Sequence, residues 1–160
     1  MIRVHPVIEI GVRGLCIKPY EGHKKGCPNF GDPKHSHRCP PNAPLFNHYF
    51  DLSLPVYAVI NCFDLAAHVE RMRESPTTSH WTEKQLRCCL YWQGKARKQL
   101  KEKIVEALAK CPPYYEATWC PEGMGVNVTE TLRRVGIELE WPPTRIVRQV
   151  AFLAYHEEGI

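Results

Sequence analysis

Apolar positions along the chain change period several times, and those changes mark the expected elements. Residues 55–63, "PVYAVINCF", are β-branched and aromatic with a proline at their head, the pattern of a buried strand. Asp64 follows as an N-cap, and Leu65, Val69 and Met72 fall on one face of a helix expected to run to about Glu74. Residues 75–79 break it. Thr82 and Gln85 then stand in capping-box spacing. Behind them Leu86, Cys89, Leu90, Gln93, Ala96, Leu100, Ile104, Ala107 and Leu108 keep helical spacing up to Lys110. This predicts one long helix, stopped by Cys111-Pro112-Pro113. Shorter signals predict strands at residues 7–10, 114–119, 137–141 and 144–155, and a short helix capped by Asn127 and closed by Gly136. Strands alternating with helices predict an α/β or α+β single domain over residues 1–160, a small mixed sheet with flanking helices.

Residues 15–44 fit none of these patterns. They hold three cysteines, three histidines and six prolines, with almost no apolar periodicity. A structureless stretch of that length in a compact domain needs a functional or covalent reason. The expectation is a long cysteine-rich N-terminal loop ordered by a metal centre, since metal bonds can replace missing apolar burial. The alternative is a disordered polar insertion, which would have no need of three cysteines.

Composition sharpens that picture. The 160 residues are 44% apolar and 24% charged, ordinary for a soluble globular protein. Residues 1–10 carry Arg3, His5 and Glu9 and lack the apolar core of a signal peptide. No apolar run approaches the length of a membrane span, so the expectation is a cytoplasmic protein without a membrane partner. Eight cysteines are many for that compartment. A disulfide framework needs an oxidising one, so clustered cysteines here read as metal ligands or reactive thiols.

The spacing favours a cluster over a single ion. Ten residues separate Cys16 from Cys27 and eleven separate Cys27 from Cys39, with no C-x₂-C pair anywhere. That counts against structural zinc, although His23, His35 and His37 keep a mixed Cys/His zinc site open. Four cysteines precede proline: Cys27, Cys39, Cys111 and Cys120. Proline fixes its own φ and holds its predecessor extended, which sets a thiolate in a rigid bend, a device iron–sulfur proteins also use. Gly22, Gly26 and Gly31 would let backbone amides approach cluster sulfides. The C-x₃-C-x₂-C spacing of radical S-adenosylmethionine enzymes is absent.

The stretch "GCPNFG…RCPPNAP", residues 26–44, resembles a family of uncharacterised predicted metal-binding proteins built around Cys-Pro-x-(Tyr/Phe)-Gly followed by Cys-Pro-Pro. "CPEGMGVNVTETLRRVGIELE", residues 120–140, is similar to the closing segment of that family. The resemblance implies a cysteine-ligated iron–sulfur centre and no settled reaction. It carries over best to Cys27 and Cys39, with Cys16 as a third ligand. For the fourth, the family has separated cysteines in mid-domain, whereas this chain has the adjacent pair Cys88-Cys89. Neighbours on a helix point about 100° apart, so one would ligate and the other pack. Cys89, on the apolar stripe, reads equally as a small buried hydrophobe, and Cys62 reads as core. A site with three ligands and an open iron is the other possibility, and an open position marks catalysis.

The net charge of +4 is compatible with an anionic partner without specifying one. Residues 95–103, "KARKQLKEK", are a basic run with a single acid, in which Lys95, Arg97 and Lys98 are expected to hold an anionic substrate such as RNA or a nucleotide. The plainer reading is a solvated helix face. Tyr91 and Trp92 beside it could stack on a base or belong to the core. "EGMGVN", residues 122–127, reads as a weak anion-binding turn or as a turn that brings Cys120 towards the cluster. No Ser-His-Asp set or carboxylate pair argues for hydrolysis.

The sequence therefore predicts a [4Fe–4S] protein with Cys16, Cys27, Cys39 and one of Cys88 and Cys89 as metal ligands. The first reading is an enzyme whose accessible iron handles sulfur or a small substrate, with the reaction left open. The second is an electron-transfer or partner-binding module meeting a protein redox partner. The third is a structural zinc protein on RNA.

Overall fold

The computed structural model describes residues 1–20 and 22–157, so residue 21 of the cysteine-rich loop and the last three residues lie outside the description. Four strands form one sheet: β1 (Ile2–Val4), β2 (Val56–Asp64), β3 (Tyr115–Thr118) and β4 (Ile146–Tyr155). Their order is β1-β2-β4-β3, and every pair is antiparallel. The expected combination of a small sheet with flanking helices is the one found, in its α+β form. The register Tyr57↔Leu153 through Asp64↔Ile146 makes β2 and β4 the centre.

Both faces of that centre are covered. Val56 and Ala58 of β2 join Phe152 and Ala154 of β4 under Phe46, Phe50, Met124 and Leu132. These come from α1 (Phe46–Tyr49), the turn at Pro121–Met124 and α5 (Val128–Arg133). Phe46 is fully buried and meets Phe152 edge-on at 5.9 Å, a burial worth about 2–3 kcal/mol. On the other face Val59, Ala151 and Leu153 meet Leu100, Ile104 and Ala107 of α4 (Gln93–Leu108). Asn61 is buried there, but its amide donates to the Ala96 carbonyl at 3.1 Å and to Gln99 at 3.2 Å. That satisfied polar contact pins α4 in register on β2. Phe63 and Val147 extend the layer to Leu65 and Val69 of α2 (Leu65–Glu74) and Leu86 of α3 (Glu83–Arg87).

The caps form as the sequence predicts. Asp64 accepts from the Ala67 amide, Asn127 accepts from the Glu130 amide, and Thr82 and Gln85 make both halves of the capping box. Several expectations need correction. The long helix expected from Thr82 to Lys110 is broken: α3 ends at Arg87, Cys88 is extended (φ −60°, ψ 126°), a 3₁₀ turn covers Cys89–Tyr91, and α4 starts at Gln93. The Trp92 indole N–H donates to the Arg87 carbonyl at 3.0 Å, satisfying the terminus of α3 and turning the chain away. Leu90, placed on the apolar stripe, is instead exposed. The first strand is Ile2–Val4 rather than residues 7–10, where Ile8 makes only an isolated bridge to Val126. Residues 137–141 form no strand; Ile137 and Leu139 pack on the core without joining the sheet. Cys62, expected in the core, is exposed, because it lies opposite Arg148 beyond the end of the apolar cluster. Among the described residues no helix is long and apolar enough to cross a membrane.

Candidate metal centre

The cysteine-rich loop is not featureless. It begins as a 3₁₀ helix, Ile10–Ile17, and contains a second turn of that kind at Pro33–His35. The Cys27 amide donates to the Cys16 carbonyl at 2.7 Å, which ties the first two cysteines together. Gly26 makes that approach possible: at φ +83°, a Cβ there would stand 2.6 Å from the Cys16 carbonyl oxygen. Cys39 is set by its amide, which donates to His35 at 2.8 Å, and by its carbonyl, which accepts from Ala43 at 3.1 Å. The Arg13 guanidinium reaches across to the carbonyls of Pro41 (2.8 Å) and Ala43 (3.0 Å), joining the front of the loop to its end.

A distant segment closes this arrangement. The 3₁₀ turn Pro121–Met124 packs on Ile10–Ile17. The Glu9 amide donates to the Gly125 carbonyl and the Asn127 amide to the Val7 carbonyl, each at 2.8 Å. A Cβ on Gly123 would lie 2.7 Å from the Arg38 carbonyl oxygen and 3.3 Å from the Pro40 ring. The missing side chain lets Cys120 reach the loop beside Cys39.

Four thiols are thereby gathered: Cys16, Cys27, Cys39 and Cys120. Burial pushes Cys16 up to about 11, and Cys27, Cys39 and Glu122 add to it against the pull of Arg13. Burial pushes Cys120 up to about 12, reinforced by Cys39, Glu122 and Cys27. Cys39 is raised by burial and then by Cys27, while the Cys120 thiol, within hydrogen-bonding reach, offsets part of the rise. Glu122, partly buried, has its carboxyl raised by desolvation. Cys16 and Cys120 therefore favour the protonated thiol near neutrality. Among the described residues no three His, Cys, Asp or Glu side chains close on one point tightly enough for a metal ion.

Cys120 is the member that sequence reasoning placed only as an option. Its Cys-Pro step was visible, but Cys111 carries the same step and lies elsewhere, 3.9 Å from the Met1 sulfur. The adjacent pair offered as the fourth ligand lies at Gly22 of the loop. A Cβ on Gly22 would meet Cys89 Sγ at 2.9 Å and Cys88 Sγ at 3.4 Å, so both thiols press on the loop backbone there. Burial raises the Tyr20 hydroxyl's pKa, with Cys27, Cys89 and Cys16 adding to the rise and Arg97 opposing it. His35 is engaged with Asp32 at 3.0 Å and the His23 ring packs on Tyr20.

The basic run lies on α4. Lys95, Arg97 and Lys98 are all exposed on the first turns of α4. Lys95 acts on His68 of α2, Arg97 on Tyr20, and Lys103 reaches the Ile60 carbonyl. Trp92 is core, stacked on Phe63, whereas Tyr91 is exposed against Trp81. No family model, curated protein or solved structure matches the chain.

Proposed function

We propose that the chain is an iron–sulfur protein whose [4Fe–4S] cluster is held by the thiolates of Cys16, Cys27, Cys39 and Cys120. The observation that carries this reading is the gathering of four thiols from separate stretches of chain, with a glycine cleared at Gly26 and another at Gly123 to allow it. An all-sulfur donor set is what such clusters take. The resemblance of residues 26–44 to a family of predicted metal-binding proteins, which implies a cysteine-ligated cluster, leans the same way.

When bound, the cluster would supply one-electron redox chemistry. Four protein thiolates leave it closed, which favours the electron-transfer or partner-binding module over an enzyme with an open iron. The protein's own contribution is the cradle: Arg13 bridging the loop ends, the Cys27 amide fastening that residue to the Cys16 carbonyl, and the exposed basic groups of α4 for docking a partner in the cytoplasm. Reduction under anaerobic conditions followed by electron paramagnetic resonance tests this. A reduced-cluster signal that disappears in Cys39→Ala supports the reading; a silent, colourless protein after reconstitution with iron and sulfide would overturn it.

A further inference from the structure

We propose that the cavity between the cysteine-rich loop and α3 binds a small ligand combining a flat aromatic ring with a phosphate, a mononucleotide being the type. The cavity holds about 610 Å³, within the usual range for small-molecule sites. Tyr20 and Lys24 line it from the loop; Lys84, Cys88 and Tyr91 line it from α3 and the turn after it. The two lysines offer point charges for a phosphate from opposite walls. Arg97 adds a third cation, acting on the Tyr20 hydroxyl from α4. Glu83, the acid on α3, is committed to Arg73 and Arg87.

The aromatic half of the ligand has a matching surface. Tyr91 is 51% exposed, yet its ring is held against Trp81 at a centroid distance of 4.5 Å. A supported, exposed ring is a stacking platform. The break between α3 and α4 creates this wall: a continuous helix would have carried residues 88–91 past the cavity instead of turning Cys88 and Tyr91 into it. Tyr20 also feels the charge of Cys27 and Cys16. The assignment goes beyond the functional reading above, and it does not need the cluster to be present.

The same chemistry could come from a free nucleotide or from the end of an RNA strand, and Cys88 provides the probe that separates them. The full chain, purified anaerobically, is treated with iodoacetamide alone, with adenosine monophosphate, or with a 5′-phosphorylated RNA hexamer, and the modified cysteines are mapped by mass spectrometry. Exposed Cys62 is the internal control. Adenosine monophosphate is expected to slow alkylation of Cys88 and leave Cys62 unchanged. Protection by the hexamer at about tenfold lower concentration would support the ring-and-phosphate chemistry with RNA as its source. Calorimetry of adenosine monophosphate binding gives a second readout, independent of thiol reactivity. Lys24→Gln and Lys84→Gln are each expected to weaken binding about tenfold, and Tyr91→Leu to weaken it similarly. The proposal is overturned if neither ligand protects Cys88 nor gives binding heat at millimolar concentration, or if the lysine variants bind unchanged. Iron and sulfide are measured on the same samples, so a failed cluster with intact protection, or the reverse, is told apart.

Discussion

The Cys120 thiol lies within hydrogen-bonding reach of the Cys39 sulfur, although the two belong to opposite ends of the chain. This contact joins the cysteine-rich loop to the turn that leads into α5, and it distinguishes the four-thiol centre from the other cysteines. Cys120→Ala should therefore lose bound iron as completely as Cys39→Ala. The paired substitution Cys88→Ser and Cys89→Ser should keep it. Cys89 is buried, so its replacement should also lower stability by about 1–3 kcal/mol. Iron per chain and a urea unfolding curve on each variant check both statements.

Gly123 is expected to be as necessary as the cysteine before it. A methyl group at that position meets the Arg38 carbonyl and the Pro40 ring, neither of which is a flexible side-chain tip. Gly123→Ala should cost about 1–3 kcal/mol in denaturant unfolding, the usual range for overpacking. It should also reduce iron retention while every cysteine is still in place.

Loading of the centre should depend on pH in a definite direction. Cys16 is pushed up to about 11 and Cys120 up to about 12, so both are protonated near neutrality and metal binding must displace their protons. Apparent affinity should rise as pH rises, with protons released on loading. Competition titrations with cobalt(II) in weakly buffered solution at about pH 7 and about pH 8.5 would show it; equal affinity and no acid release would contradict it.

A second pH effect belongs to the scaffold. His68 of α2 is buried, and its Nε2 has no hydrogen-bond partner among the described residues. Burial, then Arg71 and Lys95, hold its pKa below the ordinary imidazole value. Its contribution to stability is therefore fully present above the unfolded-state pKa. As pH falls through about 6.5 the unfolded chain takes up a proton that the folded chain refuses, and stability declines by at most about 1.4 kcal/mol per pH unit. His68→Leu should flatten that acid-side slope in denaturation midpoints measured across the range.

Much of the scaffold was legible from residue pattern, because caps and buried strands are local. Asp64, Asn127 and the Thr82–Gln85 box each act within a turn of their own position, and β2 and β4 announce themselves by composition. The break at Cys88 was not legible: helical spacing runs straight through it, and the competing contact, the Trp92 indole on the Arg87 carbonyl, is decided by how Trp92 stacks on Phe63. Cys62 failed for a similar reason, since a strand's last residues can outrun the layer that covers it. Of the four thiols proposed as ligands, Cys16, Cys27 and Cys39 stand in one loop of the sequence. Cys120 depended on a turn docking from far along the chain, and its only local sign, a proline after the cysteine, is shared with Cys111.

The measurement that tests the central claim most directly is the iron, sulfide and zinc content of protein purified without oxygen, together with its absorption spectrum. About four irons and four sulfides per chain with a broad brown band, as four thiolates on a cubane predict, would agree with the account. Stoichiometric zinc in a colourless protein would contradict it.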